Sequence, residues 1–521
     1  MTGRYLLAID AGTGSCRAVL FTETGGQVAV GQREWVHREP PGVPGGQDFD
    51  VTAGWRAVGE CIRDALRSAN HGAGADGADV AAVAATSMRE GMVLFDRAGR
   101  EIWACPNVDS RASAEAAELV NTGAAAKISA EAGDWVSITA PARLRWLARH
   151  EPGVLAATGR LGMLSDWIVY RLCGQHVTEP SCGSSSGMFA LADRRWSPSI
   201  TALCGLPAEV LPPVVDPGTV VGEVSAAAAE ATGLRAGTAV VAGGADTQLG
   251  LLGAGAVEHE YTVVGGTFWQ NTVLLGEPLI DPEARLRTLC HVSPGEWMLE
   301  GIGFYCGMAM RWFRDAFCAQ DVALARSRGA DPYELMEQAA AAAPAGRVIA
   351  IMSNVMNARR WVHASPSFLQ FDLNDPVTSG RGACVRAIEE AAAYVARGHR
   401  DIITGLTGRG FGEVVFTGGA AKGRLWPQVM ADVLGVPVHI PVVTESSALG
   451  AAICAGVGAG VYAGLTEPRA ALRRRAATFE PAPAAAAAYD EHYAAWREIY
   501  RRLLDITEDG LLNPLWRAAG A

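Results

Sequence analysis

Short apolar runs separated by glycine- and threonine-rich turns open the chain. Residues 5–9 are apolar, residues 10–15 read Asp-Ala-Gly-Thr-Gly-Ser, and residues 18–21 are apolar again. A second turn at residues 24–26 leads to a third strand-like run at residues 27–30. Turn residues at this spacing predict a three-stranded β-meander.

The periodicity then changes from strand-like to helix-like. Four apolar side chains between Trp55 and Leu66 recur every three to four residues, which predicts an amphipathic helix. Residues 80–85 predict a buried strand that ends in the polar segment 86–91. Strand-like and helix-like segments keep alternating as far as Asp246, so we expect an α/β fold.

The opening pattern recurs in the second half of the chain. Residues 261–264 are apolar and run into a Gly-Gly-Thr turn at 265–267. This weak repeat predicts two α/β domains, residues 1–254 and 255–465. The remaining segment, residues 466–521, is rich in Ala and Arg, and we expect it to be a helical tail that packs on the core.

Composition narrows the class of protein. A chain of 521 residues with 49% hydrophobic and 19% charged residues forms packed domains rather than disorder. Its net charge of -11 argues against nucleic-acid binding. The 11 cysteines contain no Cys-x-x-Cys pair, which argues against a disulfide framework or a zinc site. No apolar stretch is long enough to span a bilayer, and we expect a cytoplasmic enzyme.

The first turn carries groups that suit a bound phosphate. Its glycines allow close backbone approach, its hydroxyls donate hydrogen bonds, and an acid at the strand end suits Mg²⁺. An arginine stands where a dinucleotide fingerprint has its third glycine, and a strand follows instead of a helix, so the Rossmann interpretation fails. An ordinary hairpin turn explains the pattern equally well. The candidates are Asp10, Gly12, Thr13, Gly14, Ser15 and Arg17.

Two later turns have related compositions. Each follows a predicted strand. The turn at 265–267 is similar to the first turn, and two such turns that face each other across a cleft could hold a triphosphate. The turn at 417–422 begins a predicted helix whose first amides could bind a phosphate or pack under a nucleobase. Each alone is more often a purely structural turn. The candidates are Gly265, Gly266 and Thr267 in one turn and Gly418, Gly419, Ala420 and Lys422 in the other.

A fourth turn carries an acid at the start of a predicted helix. Asp246 is either an N-cap or a general base that takes a proton from an attacking hydroxyl, and Gln248 lies beside it. Arg89 and Glu90 are suited to hydrogen-bond the oxygens of a polyol. The alternative is that they form a surface ion pair. Asp166 could join them or cap its helix.

The set of turns, in this order, resembles the FGGY family of carbohydrate kinases over residues 5–464. Residues 10–17 resemble its first phosphate motif, 265–267 the second, 417–420 the adenosine motif, and 243–246 the motif with the catalytic aspartate.

Other segments resemble one subgroup of that family. They include residues 87–91, 103–109 and 310–318. Departures from the usual family pattern at residues 388–391 and 368–372 weaken an assignment as a typical xylulose or glycerol kinase.

The resemblance implies two actin-like (ribonuclease-H-like) ATPase domains around a catalytic cleft. It implies transfer of the terminal phosphate of ATP to a primary hydroxyl of a short open-chain carbonyl polyol, with Mg²⁺ bound. Asp246 would be the base, and Asp10 and Asp246 would lie at the metal. The three glycine-rich turns would hold ATP. The substrate would contact Arg89, Glu90, Asp166, Asp246, Gln248 and Trp269, although Trp269 fits the core better.

Three alternatives stay open at this stage. A kinase for another short sugar, such as xylulose, would keep every ATP residue and differ only in the pocket. An actin-like ATP-binding sensor without phosphotransfer fits less well, because Asp246 and the Arg89–Glu90 pair have no role in it. An NAD oxidoreductase is excluded, because Arg17 stands where the dinucleotide fingerprint has its third glycine. The sequence leaves the oligomeric state open, a homodimer included.

Overall fold

The computed structural model describes residues 4–73, 79–355, 362–443 and 445–517. It is an α/β protein built around two large mixed sheets, which confirms the predicted fold class.

The N-terminal half alternates strands and helices up to Gly253. Its strands are β1 (Tyr5–Ala11), β2 (Ser15–Thr22), β3 (Gln27–Glu34), β4 (Val80–Ser87), β5 (Met92–Asp96), β6 (Glu101–Cys105), β7 (Thr158–Met163), β8 (Phe189–Ala190), β9 (Arg195–Trp196), β10 (Val220–Glu223) and β11 (Ala239–Ala245). Its helices are α1 (Val51–Ala73), α2 (Ser113–Asn121), α3 (Ala124–Ala132), α4 (Ala140–His150), α5 (Pro152–Ala157), α6 (Leu164–Cys173), α7 (Pro180–Ser185), α8 (Pro198–Leu203), α9 (Ala226–Thr232) and α10 (Asp246–Gly253).

The C-terminal half repeats this alternation. Its strands are β12 (Tyr261–Gly265), β13 (Trp269–Leu275), β14 (Arg287–Cys290), β15 (Trp297–Gly303), β16 (Ile349–Ile351), β17 (Val362–His363), β18 (Ser367–Leu369), β19 (Val414–Thr417), β20 (Val438–Pro441), β21 (Arg475–Phe479) and β22 (Trp516–Arg517). Its helices are α11 (Cys306–Phe317), α12 (Ala319–Arg328), α13 (Pro332–Ala341), α14 (Arg381–Thr407), α15 (Leu425–Leu434), α16 (Ser446–Gly458), α17 (Glu467–Leu472) and α18 (Pro483–Glu508).

The two large sheets share one topology. The N-terminal sheet has the order β10-β11-β4-β1-β2-β3, and the C-terminal sheet has the order β14-β15-β13-β12-β19-β20-β21. Each contains an antiparallel meander joined through its first strand to two parallel strands. The predicted β-meander and the predicted repeat are therefore both present in the structure.

The C-terminal tail contributes more than a helix. Strand β21 pairs antiparallel with β20 and extends the second sheet, which the sequence did not predict. Helix α18 buries Tyr489, Tyr493, Trp496 and Tyr500 in the hydrophobic core of the C-terminal half. The helix of the tail packs on the core, and part of the tail is also a strand of the sheet.

Helix α16 joins the two halves. It follows β20 of the C-terminal sheet, yet its residues Ala448, Leu449 and Ala452 pack against the N-terminal sheet in one hydrophobic cluster. Helices α10 and α16 approach closely, because a Cβ added at Gly450 would overlap the carbonyl oxygen of Leu249. The position of α10, and of the acid at its start, therefore depends on α16.

We expect Gly450→Ala to lower the free energy of unfolding by about 1–3 kcal/mol, because backbone must move to admit the methyl group. Chemical denaturation measures this. The matched control is Gly405→Ala on α14, where an added Cβ meets nothing within 4 Å. Alanine there should be neutral or slightly stabilising. Equal stability of the two variants would contradict tight α10–α16 packing.

Candidate active site

Acidic and basic side chains meet at one edge of the N-terminal sheet. Strands β1, β4 and β11 are adjacent and parallel, so their carboxyl ends lie together. Asp10 lies near the end of β1, Arg89 and Glu90 follow β4, and Asp246 follows β11. Asp246 Oδ1 lies 3.9 Å from Arg89 Nε. The structure therefore brings together four of the predicted site residues.

Asp246 is the first residue of α10 and its carboxylate is accessible. Ala245 occupies the N-cap position, so Asp246 is not the N-cap. The carboxylate accepts a hydrogen bond from the Thr247 amide at 2.6 Å, and Ser447 donates to the Asp246 carbonyl at 2.9 Å. The side chain is 32% exposed. Desolvation by the surrounding protein still raises its pKa, and the Arg89 charge opposes that shift.

Arg89 is held by a buried ion-pair network that connects the two halves of the chain. Its Nη1 lies 2.7 Å from Oε2 of Glu300 on β15. The same oxygen lies 2.6 Å from Nε of Arg287 on β14. Burial would raise the pKa of Glu300, but Arg287 and Arg89 lower it to about 2. The carboxylate of Glu300 therefore stays charged and holds both guanidinium groups.

Glu90 belongs to the same network. Its Oε1 lies 2.8 Å from Arg287 Nη1, which also lies 3.3 Å from Asp134 Oδ2. Glu90 has a φ of 60°, in the left-handed region that is costly for a non-glycine residue. Its carbonyl accepts a hydrogen bond from Arg143. These contacts fix Glu90 in a conformation that points its side chain to the interface between the halves.

The first glycine-rich turn is held from its carbonyl side. Trp35 Nε1 lies 3.1 Å from the Gly12 carbonyl, and His37 Nε2 lies 2.7 Å from the Thr13 carbonyl. The side-chain amide of Asn107 lies 3.0 Å from Thr13 Oγ1. With its carbonyls and the Thr13 hydroxyl engaged, the turn can present backbone amides to a phosphate.

Two charged residues flank this turn. Burial raises the pKa of Asp10 to about 7, and the nearby Asp246 carboxylate adds to the shift. Arg17 Nη1 forms an ion pair with Glu445 Oε2 at 2.7 Å. Asp10 and Asp246 thus form a like-charged pair that a cation would relieve.

The second and third turns border one cavity of about 530 Å³. Gly418 has a φ of 92°, which favours glycine, and a Cβ there would meet the Gly265 carbonyl at 2.7 Å. This close approach puts the ends of β12 and β19 side by side. Arg311 donates to Thr267 Oγ1 at 3.0 Å. The cavity is lined by Gly265, Gly266, Thr267, Gly419, Ala420 and Lys422, together with residues of α11, α13, α14 and α15.

A larger hollow of about 980 Å³ also borders the third turn. It contacts Gly418 and Lys422 but none of the residues of the second turn. The smaller cavity joins two candidate turns, so it fits a nucleotide better.

Three predicted substrate contacts have side-chain partners other than Arg89, Glu90 and Asp246. Trp269 is fully buried in the core, with ring centroids 5.1 Å from Phe416 and 5.2 Å from Trp426, because β13 points it into that sheet's interior. Gln248 is buried and lies 3.4 Å from the Cys290 carbonyl.

Asp166 is the third. Its carboxylate accepts a hydrogen bond from the Met163 amide at 2.9 Å within the first turn of α6, which is the capping alternative. Burial raises the pKa of Asp166 to about 8. Among the described residues, no hydrogen bond joins Asp166, Gln248 or Trp269 to Arg89, Glu90 or Asp246.

Several residues that the sequence did not predict also shape the site. Arg287 and Glu300 lie in strands whose apolar neighbours gave no sign of buried charge. Asn107 and Glu445 contact the first turn and its arginine from distant parts of the chain. The resemblance at residues 103–109 was the one signal that pointed to Asn107.

Residues 5–253 match the N-terminal domain of the FGGY family of carbohydrate kinases, and residues 262–459 match its C-terminal domain. The chain belongs to this family.

The chain is similar to individual relatives over its full length. It is 45% identical to the autoinducer-2 kinases of Yersinia enterocolitica and Yersinia pestis, covering 100% of this chain and 98% of each relative. In fold it is similar to the xylulose kinase of Rhodospirillum rubrum, with a TM-score of 0.81, 27% identity and coverage of 97% of this chain and 100% of that one.

A further likeness concerns the fold alone. The Plasmodium falciparum glycerol kinase with ADP gives a TM-score of 0.82 at 17% identity, covering 96% of this chain and 98% of that one. Together these likenesses confirm the predicted pair of actin-like domains. Within the described part of the chain, no helix has the length and apolar character needed to cross a bilayer.

We expect Glu300→Gln to lower the free energy of unfolding by about 3–5 kcal/mol, because it leaves two buried guanidinium groups short of a counter-charge. Turnover should fall as well, since Arg89 loses its anchor. The control is Glu498→Gln on α18, whose exposed ion pairs should contribute nothing measurable. A Glu300→Gln protein as stable as the control would contradict the role of this network.

Proposed function

We propose that this chain transfers the terminal phosphate of ATP to the 5-hydroxyl of 4,5-dihydroxy-2,3-pentanedione, the open-chain precursor of autoinducer-2. The observation that carries the proposal is the full-length identity of 45% to autoinducer-2 kinases. The geometry supports it as well, because Arg89 lies beside Asp246 and is paired with Glu300 of the C-terminal half.

Asp246 is the general base of the proposed reaction. Its accessible carboxylate accepts the proton of the attacking hydroxyl as that oxygen approaches the phosphorus atom. A base works best when its pKa lies near the working pH, and burial moves the pKa of Asp246 in that direction. Arg89 orients the carboxylate and opposes its protonation.

Arg89 and Glu90 hold the substrate. Arg89 donates hydrogen bonds to carbonyl oxygens of the dione, and Glu90 accepts them from its hydroxyl groups. Glu300 and Arg287 fix these two side chains before the substrate arrives, which lowers the cost of ordering them in the transition state.

The three glycine-rich turns hold ATP. Thr13 and Gly14 contact the transferred phosphate from the N-terminal half, and Gly266 and Thr267 contact the phosphates from the other half. Gly418, Gly419 and Ala420 pack near adenosine. Closure of the two halves around the nucleotide excludes water and limits wasteful hydrolysis of ATP.

The carboxylates of Asp10 and Asp246 fit a bound Mg²⁺. Mg²⁺ takes oxygen ligands and is usually held by one or two carboxylates together with substrate phosphates. Burial and the nearby Asp246 carboxylate raise the pKa of Asp10, and a bound cation would oppose that shift. When bound, the ion neutralises charge on the phosphates. We propose that the reaction takes place in the cytoplasm, where ATP is available.

A kinase for a pentulose is the second candidate. The xylulose kinase likeness at 27% identity favours it, because ATP contacts would be shared and only the pocket would differ. A non-catalytic ATP-binding sensor is less consistent with the structure, since it leaves the Asp246–Arg89 arrangement without a role.

We expect Asp246→Asn to reduce turnover at least about 100-fold while ATP still binds, because the amide cannot accept the proton. ADP release and calorimetric ATP titration measure the two effects. Asp166→Asn is the matched control, and its turnover should stay near wild type. Near-normal turnover of Asp246→Asn would remove this residue from the role of base.

A substrate panel separates the two candidates. We expect kcat/KM for dihydroxy-pentanedione to exceed that for xylulose, ribulose and glycerol in an ADP-release assay. Phosphorus NMR should show a new phosphomonoester on the primary hydroxyl. A higher kcat/KM for xylulose would instead identify the chain as a pentulose kinase.

A further inference from the structure

Glu389 lies at the deep end of the 530 Å³ cavity. The exposed lining residues, Gly266 and Lys422 among them, form its mouth. The buried lining residues form its deep end and are Gly265, Met310, Met336, Val385, Glu389 and Trp426. Glu389 is the one ionisable side chain in this buried set, and it is 3% exposed.

The carboxyl group of Glu389 lacks a hydrogen-bond partner for one of its oxygens. Its Oε2 is buried and unpaired. Trp426 Nε1 donates to the backbone carbonyl of Glu389 at 3.2 Å and leaves the side chain free. The adjacent Glu390 differs, because Arg386, Tyr489 and the Gly346 amide all bond to it. Burying a polar oxygen without a hydrogen-bond partner is energetically unfavourable. The unpaired Oε2 of Glu389 therefore indicates that a ligand donates a hydrogen bond to it.

The surroundings of Glu389 suit a nucleobase better than a phosphate. Met310, Met336 and Trp426 provide apolar walls for a flat ring, whereas a carboxyl group would repel phosphate oxygens. The phosphate-binding groups, Gly266 and Lys422, lie at the mouth. A nucleotide with its phosphates at the mouth therefore puts its base at the deep end.

We propose that the carboxyl group of Glu389 accepts a hydrogen bond from the exocyclic amino group of adenine and so selects the base of the phosphate donor. The inference rests on the proposed function of this cavity as the ATP site. Burial and the charge of Glu337 raise the pKa of Glu389 well above its usual range. A neutral carboxyl group offers both an acceptor and a donor, which matches the amino group and a ring nitrogen of adenine.

The test compares ADP with the diphosphate of purine riboside, which lacks only the amino group. Calorimetry on the full chain without sugar gives both dissociation constants. We expect wild type to bind ADP about tenfold more tightly than the analogue. Glu389→Leu should bind both equally, because the variant has no group that senses the amine. Glu389→Gln keeps a carbonyl acceptor and should keep the preference.

Glu390→Gln is the matched control, since it alters an adjacent buried glutamate that does not line the cavity. It should retain the preference for ADP even if it is less stable. Equal binding of ADP and the analogue by wild type overturns the proposal without any variant, as does an unchanged preference in Glu389→Leu. If wild type does not bind ADP at all, the proposal that this cavity is the ATP site is wrong. If the enzyme phosphorylates a different sugar, these binding ratios are unaffected.

Discussion

The buried ion pair between Arg89 and Glu300 is the constraint on which the candidate site depends. It joins the end of a strand in the N-terminal sheet to the middle of a strand in the C-terminal sheet. Burying these charges is unfavourable unless each is paired, so the two halves must keep the geometry that pairs them. That geometry places Arg89 beside Asp246 and, through Arg287, fixes Glu90. One network thereby orients both the base and the substrate contacts.

The repeated fold explains why two turns from different halves can serve one nucleotide. In each sheet the first strand of the meander ends in a glycine-containing turn next to a parallel strand. Helix α16 ties the halves together by packing against the N-terminal sheet close to α10. The start of α10, which carries Asp246, is therefore set by packing in the core, as precise catalysis requires.

Local patterns were enough to predict the meander, the repeat and most of the glycine-rich turns, because strand alternation and turn residues act over a few positions. They could not reveal Glu300 or Arg287, since the pairing of a buried charge depends on residues about 200 positions away. They could not show that the side chains of Trp269 and Gln248 are fully buried. The direction of a side chain depends on which face of the strand or helix is buried. The packing of α16 against the sheet of the other half is likewise a tertiary feature, and no local pattern predicts it.

The central claim is that Asp246 takes the proton of the hydroxyl that attacks ATP. A crystal structure with dihydroxy-pentanedione and a non-hydrolysable ATP analogue tests it most directly. We expect a carboxylate oxygen of Asp246 within about 2.6–3.2 Å of the primary hydroxyl, which itself faces the terminal phosphorus. A hydroxyl that contacts another base, or points away from the phosphate, would contradict the account.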